Sequence, residues 1–151
     1  MSKSLEIKVS SLPLAGLGLF AKRAFKKGEQ IIEYKGRLQR WRDVKHEDGY
    51  NGYLLRLNRT HAIDGLRSKS FGRYANDAQG LRRLRGLSNN AEYVVYGLRC
   101  FLEARRDIQK GEEILVYYGK EYWDLIRKIK QRNGAGQTTP PTRRSRKPST
   151  P

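Results

Sequence analysis

Apolar and polar positions alternate from Leu5 to Val9, the two-residue period of a half-buried strand, and Pro13 closes the run. The stretch Leu14 to Ala21 places a Gly16-Leu17-Gly18 loop ahead of a second apolar strand. Phe25 to Glu29 predicts a turn, and Ile31 to Gly36 the next strand. The same turn-then-acid pattern returns at Ile108 to Glu113, before another strand. Residues 39–52 are polar, charged and irregular, which predicts a loop with one helical turn. Gly52 to Leu57 and His61 to Gly65 predict a hairpin joined by Asn58-Arg59-Thr60. Phe71 to Ala78 shows no strong period, and Asn90 to Leu102 is the longest strand-rich run. Near the end, Glu112 to Trp123 predicts a buried strand with Tyr117 and Tyr118 on opposite faces. Leu125, Ile126 and Ile129 then recur at helical spacing among basic residues, predicting a short amphipathic helix. Several short strands with turn signals roughly every 10 residues make a mainly β chain.

Composition adds a partner class. The 151 residues suggest one domain, residues 1–132, followed from Asn133 by a segment of Gly, Thr, Pro, Ser, Arg and Lys. That segment, 133–151, is expected to be a disordered basic tail, because it cannot bury enough apolar surface to offset its ordering entropy. A formal net charge of +17 points to anionic partners: nucleic acid, an acidic protein surface or anionic lipid. Arg82, Arg83 and Arg85 are either a solvated face or a docking patch. Cys100 stands alone, and His46 and His61 have no ligand-like neighbours, so no metal site is expected. No apolar run is long enough to span a membrane and no signal-peptide pattern is seen. These features predict a cytoplasmic, nuclear or nucleoid-associated protein.

Gly16-Leu17-Gly18 lacks the third glycine and following helix of a dinucleotide site. Taken in order, however, Gly16-Leu17-Gly18, Glu33-Tyr34-Lys35-Gly36, Ile63-Asp64, Gly72-Arg73-Tyr74-Ala75-Asn76, Asn90-Ala91 and Gly111-Glu112-Glu113 to Tyr118-Gly119 resemble the SET domain of protein lysine methyltransferases. The resemblance covers about residues 5 to 124, and the chain looks like the minimal, stand-alone members of viral and bacterial type, which share a Tyr-Gly-x-x-Tyr-Trp ending. It implies a fold of several small sheets with short helices and a C-terminal pseudoknot. It also implies S-adenosyl-L-methionine as cofactor and a protein lysine as substrate, the two entering from opposite faces. Where the family has Arg-Phe/Leu-x-Asn-His-Ser, this chain has Arg73-Tyr74-Ala75-Asn76-Asp77-Ala78, and the family's Pro-Asn is Asn89-Asn90.

Carried over residue by residue, the resemblance makes Tyr118 the catalytic tyrosine. Gly16, Leu17, Gly18, Arg73, Asn76, Asp77 and Trp123 become cofactor-binding, with Trp123 stacked on the adenine. Tyr53, Tyr93 and Val116 line the lysine channel. Tyr53 and Tyr93 remain open to a second role as sheet aromatics, and Arg73 to pairing with a carboxylate. Val116 stands at the position that often carries Phe or Tyr and sets how many methyl groups are added. Its small side chain leaves room that a Tyr93 hydroxyl could fill. The expected function is methyl transfer from S-adenosylmethionine to a lysine ε-amine, on a protein associated with DNA, with nonspecific nucleic-acid contact through the basic tail. The alternative is a non-catalytic basic nucleic-acid-binding protein on the same scaffold.

Overall fold

The computed structural model describes residues 3–79 and 86–132; in the last helix the side chains at 120, 121, 123 and 130–132 lie outside that description. The basic tail and Arg82, Arg83 and Arg85 also lie outside it. Among the described residues, nine short strands form three antiparallel sheets of three strands each.

In the first sheet β1 (Leu5–Val9) pairs with β2 (Leu17–Ala21), which pairs with β9 (Glu113–Ile114). Leu5, Leu19, Ala21 and Ile114 from these strands are buried in the core. The second sheet joins β3 (Gln30–Tyr34), β8 (Arg99–Ala104) and β7 (Ala91–Tyr96) in that order. The third joins β4 (Arg37–Arg40), β6 (His61–Asp64) and β5 (Leu54–Arg56). No helix among the described residues is long and apolar enough to cross a membrane.

Four sequence expectations are refined. The segment 39–52 reads as loop in the sequence, but its start belongs to β4, which pairs Leu38 with Ile63 and Gln39 with Ala62. β4 carries no buried face, since Leu38 is 47% exposed, so only its backbone ladder holds it and no apolar alternation marks it. A one-turn helix α1 (Trp41–Val44) and a 3-10 turn at Lys45–Glu47 follow, as the expected helical turn. The long run from Asn90 is two strands, folded at Gly97 with φ 62°. The final expected strand keeps ladder pairing only at Glu113–Ile114, for a reason set by the knot below. The last helix, α2 (Lys120–Arg132), is longer than its apolar spacing indicates and buries Ile126 and Ile129.

Two turns of similar sequence meet back to back. Phe25 N donates to Ile108 O at 2.9 Å, and Ile108 N donates to Phe25 O at 2.8 Å. Both side chains are buried in the core, while the flanking residues are exposed.

Cys100 on β8 is fully buried, and burial pushes its thiol up to about 12. Such a thiol is neutral at working pH and no nucleophile. The folded protein is therefore expected to resist thiol-specific alkylation at pH 8 and to become fully labelled in denaturant, as read by intact mass. Rapid labelling of the native protein would contradict this burial.

Candidate active site

The chain crosses itself where residues 115–118 pass between two other segments. Leu115 forms a parallel bridge with Asn76, and Val116 a parallel bridge with Ala91. Val116 N donates to Asn76 O at 2.7 Å, while Leu115 O accepts from Asn90 N at 2.8 Å and from Ala91 N at 3.0 Å. Because the partners come from two segments that are distant in sequence, no continuous ladder can extend β9. The Asn90 side chain completes the crossing, donating to Glu113 O at 2.9 Å and accepting from Leu115 N at 2.9 Å.

Asp77 is the polar centre of this crossing. Its Oδ1 accepts from Gln79 N at 2.8 Å and Asn89 Nδ2 at 2.9 Å, and its Oδ2 accepts from Tyr118 N at 2.8 Å. Asn89 in turn accepts from Ala78 N at 2.8 Å. A carboxylate has lone pairs for all of these donors, whereas a neutral imidazole accepts one hydrogen bond. The replacement of the family histidine by Asp77 is thus matched to the set of N–H groups facing it. Asn89, Asn90 and Glu113 build the site without having been expected to do so. For the two asparagines the signal is present in the sequence, since they stand at the family's Pro-Asn position.

Tyr118 is buried, and its hydroxyl donates to Ala75 O at 2.9 Å. With the proton committed there, the oxygen acts as an acceptor toward any further group. Its ring stands edge-on to Tyr122 at 5.5 Å between centroids, which fixes the ring plane. Asn76 bridges this segment to the glycine loop: its Nδ2 donates to Leu17 O at 3.0 Å.

The glycine loop is built for close approach. Ser10 Oγ donates to Glu113 Oε2 at 2.6 Å, and Ser11 N donates to Oε1 at 2.9 Å. A Cβ on Gly18 would overlap that buried carboxylate, so only glycine lets β2 pass. Gly16 sits at φ 73°, a conformation open to glycine at little cost. Leu17, between them, is 42% exposed.

A second cluster gathers the aromatic residues. Tyr34 is fully buried and donates from its hydroxyl to Tyr53 O at 2.6 Å. Tyr93 meets Tyr34 edge-on at 6.1 Å, so one ring ties the two expected channel residues together. Tyr53 and Val116 are buried. Arg73 lies against this wall, its guanidinium 4.7 Å from the Tyr53 ring centroid and 5.0 Å from that of Tyr74. Its Nη1 donates to Gly65 O at 3.2 Å and Leu66 O at 2.6 Å, and its Nη2 to Tyr74 Oη at 3.0 Å. Arg73 is thus engaged by loop carbonyls and aromatic faces. The Trp123 side chain lies outside the described residues. No group of three or more potential metal ligands occurs among the described residues.

One observation bears on a bound cofactor. Asn76 Oδ1 is buried and has no hydrogen-bond donor among the described residues, although Nδ2 of the same amide is satisfied. A lone buried acceptor on an amide that is tied to the glycine loop at Leu17 O suits a small ligand that carries a cationic donor. Residues Gly16, Leu17, Gly18 and Asn76 therefore fit S-adenosylmethionine, whose amino group is such a donor.

Comparison with known proteins gives one consistent answer. A model described as SET domain matches residues 16–119. The chain is 30% identical over 153 residues to histone-lysine N-methyltransferase EZH2 of Chaetomium thermophilum, covering 92% of this chain and 10% of that protein. It is 31% identical over 116 residues to N-lysine methyltransferase KMT5A-A of Danio rerio, covering 69% of this chain and 32% of that one. The chain thus spans no more than about a third of these relatives. Among solved structures it is similar to ctPRC2 in an autoinhibited conformation bound to S-adenosylmethionine, with TM-score 0.66 and 27% identity, covering 88% of this chain and 17% of that one. The methyltransferase domain of human PR domain-containing protein 2 shares the fold at TM-score 0.61 and 20% identity, covering 79% of each chain.

Proposed function

The chain belongs to the SET-domain family, and from that premise we propose that it is an S-adenosylmethionine-dependent protein-lysine N-methyltransferase acting on a DNA-associated protein. The observation that carries this reading is Tyr118, buried in the knot with its hydroxyl proton given to Ala75 O and its backbone held by Asp77. Relatives are named as histone-lysine and N-lysine methyltransferases, and a basic domain suits substrates that accompany nucleic acid.

When bound, S-adenosylmethionine supplies a methyl on a sulfonium, which passes to the amine as the S–C bond breaks and the N–C bond forms. The residues of this chain supply alignment, which can contribute several kcal/mol to such a displacement. The attacking ε-amine must be neutral, and with an ordinary lysine pKa of about 10.4 its deprotonation near neutral pH costs roughly 4 kcal/mol. Tyr53, Tyr93 and Val116 form the dry wall along which the aliphatic stem slides, and desolvation there favours the neutral amine. Arg73 holds Tyr53 in place and adds a positive charge that opposes protonation of the amine. Tyr118 Oη, as an acceptor, orients the remaining N–H bonds. Asn76 Oδ1 would accept from the cofactor's ammonium group, with the Gly16 to Gly18 backbone beside it.

The proposal is tested by incubating the protein with a histone mixture and methyl-labelled S-adenosylmethionine. Label on lysine is expected. Absence of label, with intact binding to DNA, would favour the non-catalytic reading that the +17 charge supports.

Asn76→Ala is expected to weaken S-adenosylmethionine binding about tenfold in calorimetry, because the buried acceptor and the tether to Leu17 O disappear together. Unchanged affinity would remove Asn76 from the cofactor site. For product state, Val116 leaves space and Tyr93 closes it, which gives a mono- or dimethylating enzyme. Mass spectrometry of the product from Tyr93→Phe is expected to show a shift to higher methylation; an unchanged distribution would leave Tyr93 a sheet aromatic.

A further inference from the structure

The back-to-back turns carry one sequence pattern twice. Ala21-Lys22-Arg23-Ala24-Phe25-Lys26-Lys27-Gly28-Glu29 and Ala104-Arg105-Arg106-Asp107-Ile108-Gln109-Lys110-Gly111-Glu112 share the basic pair, the inward apolar residue and the Lys-Gly-Glu end. Gly28 and Gly111 adopt the same left-handed bend, with φ 87° and 93°. The two hydrogen bonds between Phe25 and Ile108 fuse the turns into one rigid unit.

The charges on this unit are divided by role. Its three carboxylates are spent on the turns themselves. Glu29 accepts from Lys26 N and pairs with Arg23; Glu112 accepts from Gln109 N and pairs with Arg106; Asp107 accepts from Lys27 N. Five further cations, Lys22, Lys26, Lys27, Arg105 and Lys110, are exposed and pair with no carboxylate among the described residues. The apolar side chains of the unit, Phe25 and Ile108, face inward. None of the large apolar residues exposed elsewhere on the described chain, such as Val9, Leu14 and Tyr96, lies in either turn. The core of a stable protein interface and a face inserted into lipid both draw on large exposed apolar side chains, and neither turn offers one. A phosphate backbone requires only fixed, unneutralised cations.

We propose that the paired turns form a docking face for the phosphate backbone of duplex nucleic acid, carried by the folded domain and separate from the basic tail. The face lies away from the chemistry. β2 leads from Leu17 at the site to Ala21 at the first turn, roughly 13 Å of strand. β9 leaves the second turn and runs on toward Tyr118. A duplex held at the turns therefore leaves the glycine loop and the knot open, and it raises the local concentration of any lysine carried on the same nucleic acid. Seating on the backbone makes no use of base edges, so binding is independent of sequence.

The test uses the full chain with its tail intact and a fluorescent duplex of about 20 base pairs, titrated across a salt series. One variant carries Lys22→Gln, Lys26→Gln, Lys27→Gln, Arg105→Gln and Lys110→Gln. A matched control carries Arg37→Gln, Arg40→Gln, Arg42→Gln, Lys45→Gln and Arg59→Gln, which removes equal charge from exposed positions on β4, α1, the 3-10 turn after it and the β5–β6 loop. The turn variant is expected to lose at least tenfold in affinity at low salt. Its log–log salt slope should become shallower by up to about 4.5, at about 0.9 for each of the five phosphates no longer neutralised. The control is expected to lose threefold or less. Both should keep the parent's urea midpoint, and any peptide methylation by the parent should persist in both, so failure of the methyltransferase reading would show in the parent alone. An equal loss in both variants would assign binding to overall charge and overturn the proposal. So would unchanged duplex binding by the turn variant, including the case where it loses only binding to phosphatidylserine vesicles.

Discussion

Tyr118→Phe is expected to lower methyl transfer about a hundredfold or more while S-adenosylmethionine affinity stays at the parent value. The substitution removes one oxygen and keeps the ring, so the edge-on contact with Tyr122 and the backbone bond from Tyr118 N to Asp77 persist. What disappears is the acceptor that orients the amine. The stability cost is limited to the Ala75 carbonyl, which is left buried without its donor, about 1 kcal/mol. Single-turnover rates with a peptide substrate, set beside calorimetric cofactor binding, separate the two effects. A variant with the parent's rate would remove the hydroxyl from the mechanism.

The second large effect is on stability, at Asp77. Asp77→Ala leaves Gln79 N, Asn89 Nδ2 and Tyr118 N without their acceptor inside the crossing. At about 1–3 kcal/mol for each stranded buried donor, with the exposed end at Gln79 discounted, the loss is roughly 3–5 kcal/mol. That is a large share of the roughly 5–15 kcal/mol that holds an ordinary domain together. Asp77→Asn keeps an oxygen for two of the donors and turns an NH2 group toward Tyr118 N, so it is expected to cost less, about 1–3 kcal/mol. Asn should also lower the turnover more than the cofactor affinity, because the group it releases is the backbone of Tyr118. Urea midpoints that rank alanine below asparagine below the parent would support this account. An alanine variant as stable as the parent would refute it.

Much of the site can be read from the chain because its residues occur as short ordered motifs. Gly16 to Gly18, Asn76, Tyr118 and the Asn89-Asn90 pair are each recognisable, and the structure brings all of them to one crossing. The role of Asp77 is not readable. Sequence shows only that a histidine is absent, because the donors that favour a carboxylate come from residues 79, 89 and 118. Arg73 is similarly ambiguous: a cation beside a motif gives no sign that loop carbonyls at 65 and 66 will absorb it. β4 is hidden for another reason, since a strand held by its ladder and exposed on its side chains leaves no apolar period.

By itself the sequence determined most of the local elements, the mainly β class and the family. The period of apolar residues, the glycines at turns and the motif order are properties of neighbouring residues, and neighbours do not depend on the rest of the chain. The tertiary structure decided which distant groups satisfy one another. The hydroxyl of Tyr118 meets a carbonyl 43 positions away, the carboxylate of Glu113 meets a serine 103 positions away, and two turns 80 positions apart close into one basic face. Buried polar groups must find partners wherever the fold brings them, and that pairing exists only once the chain has crossed itself.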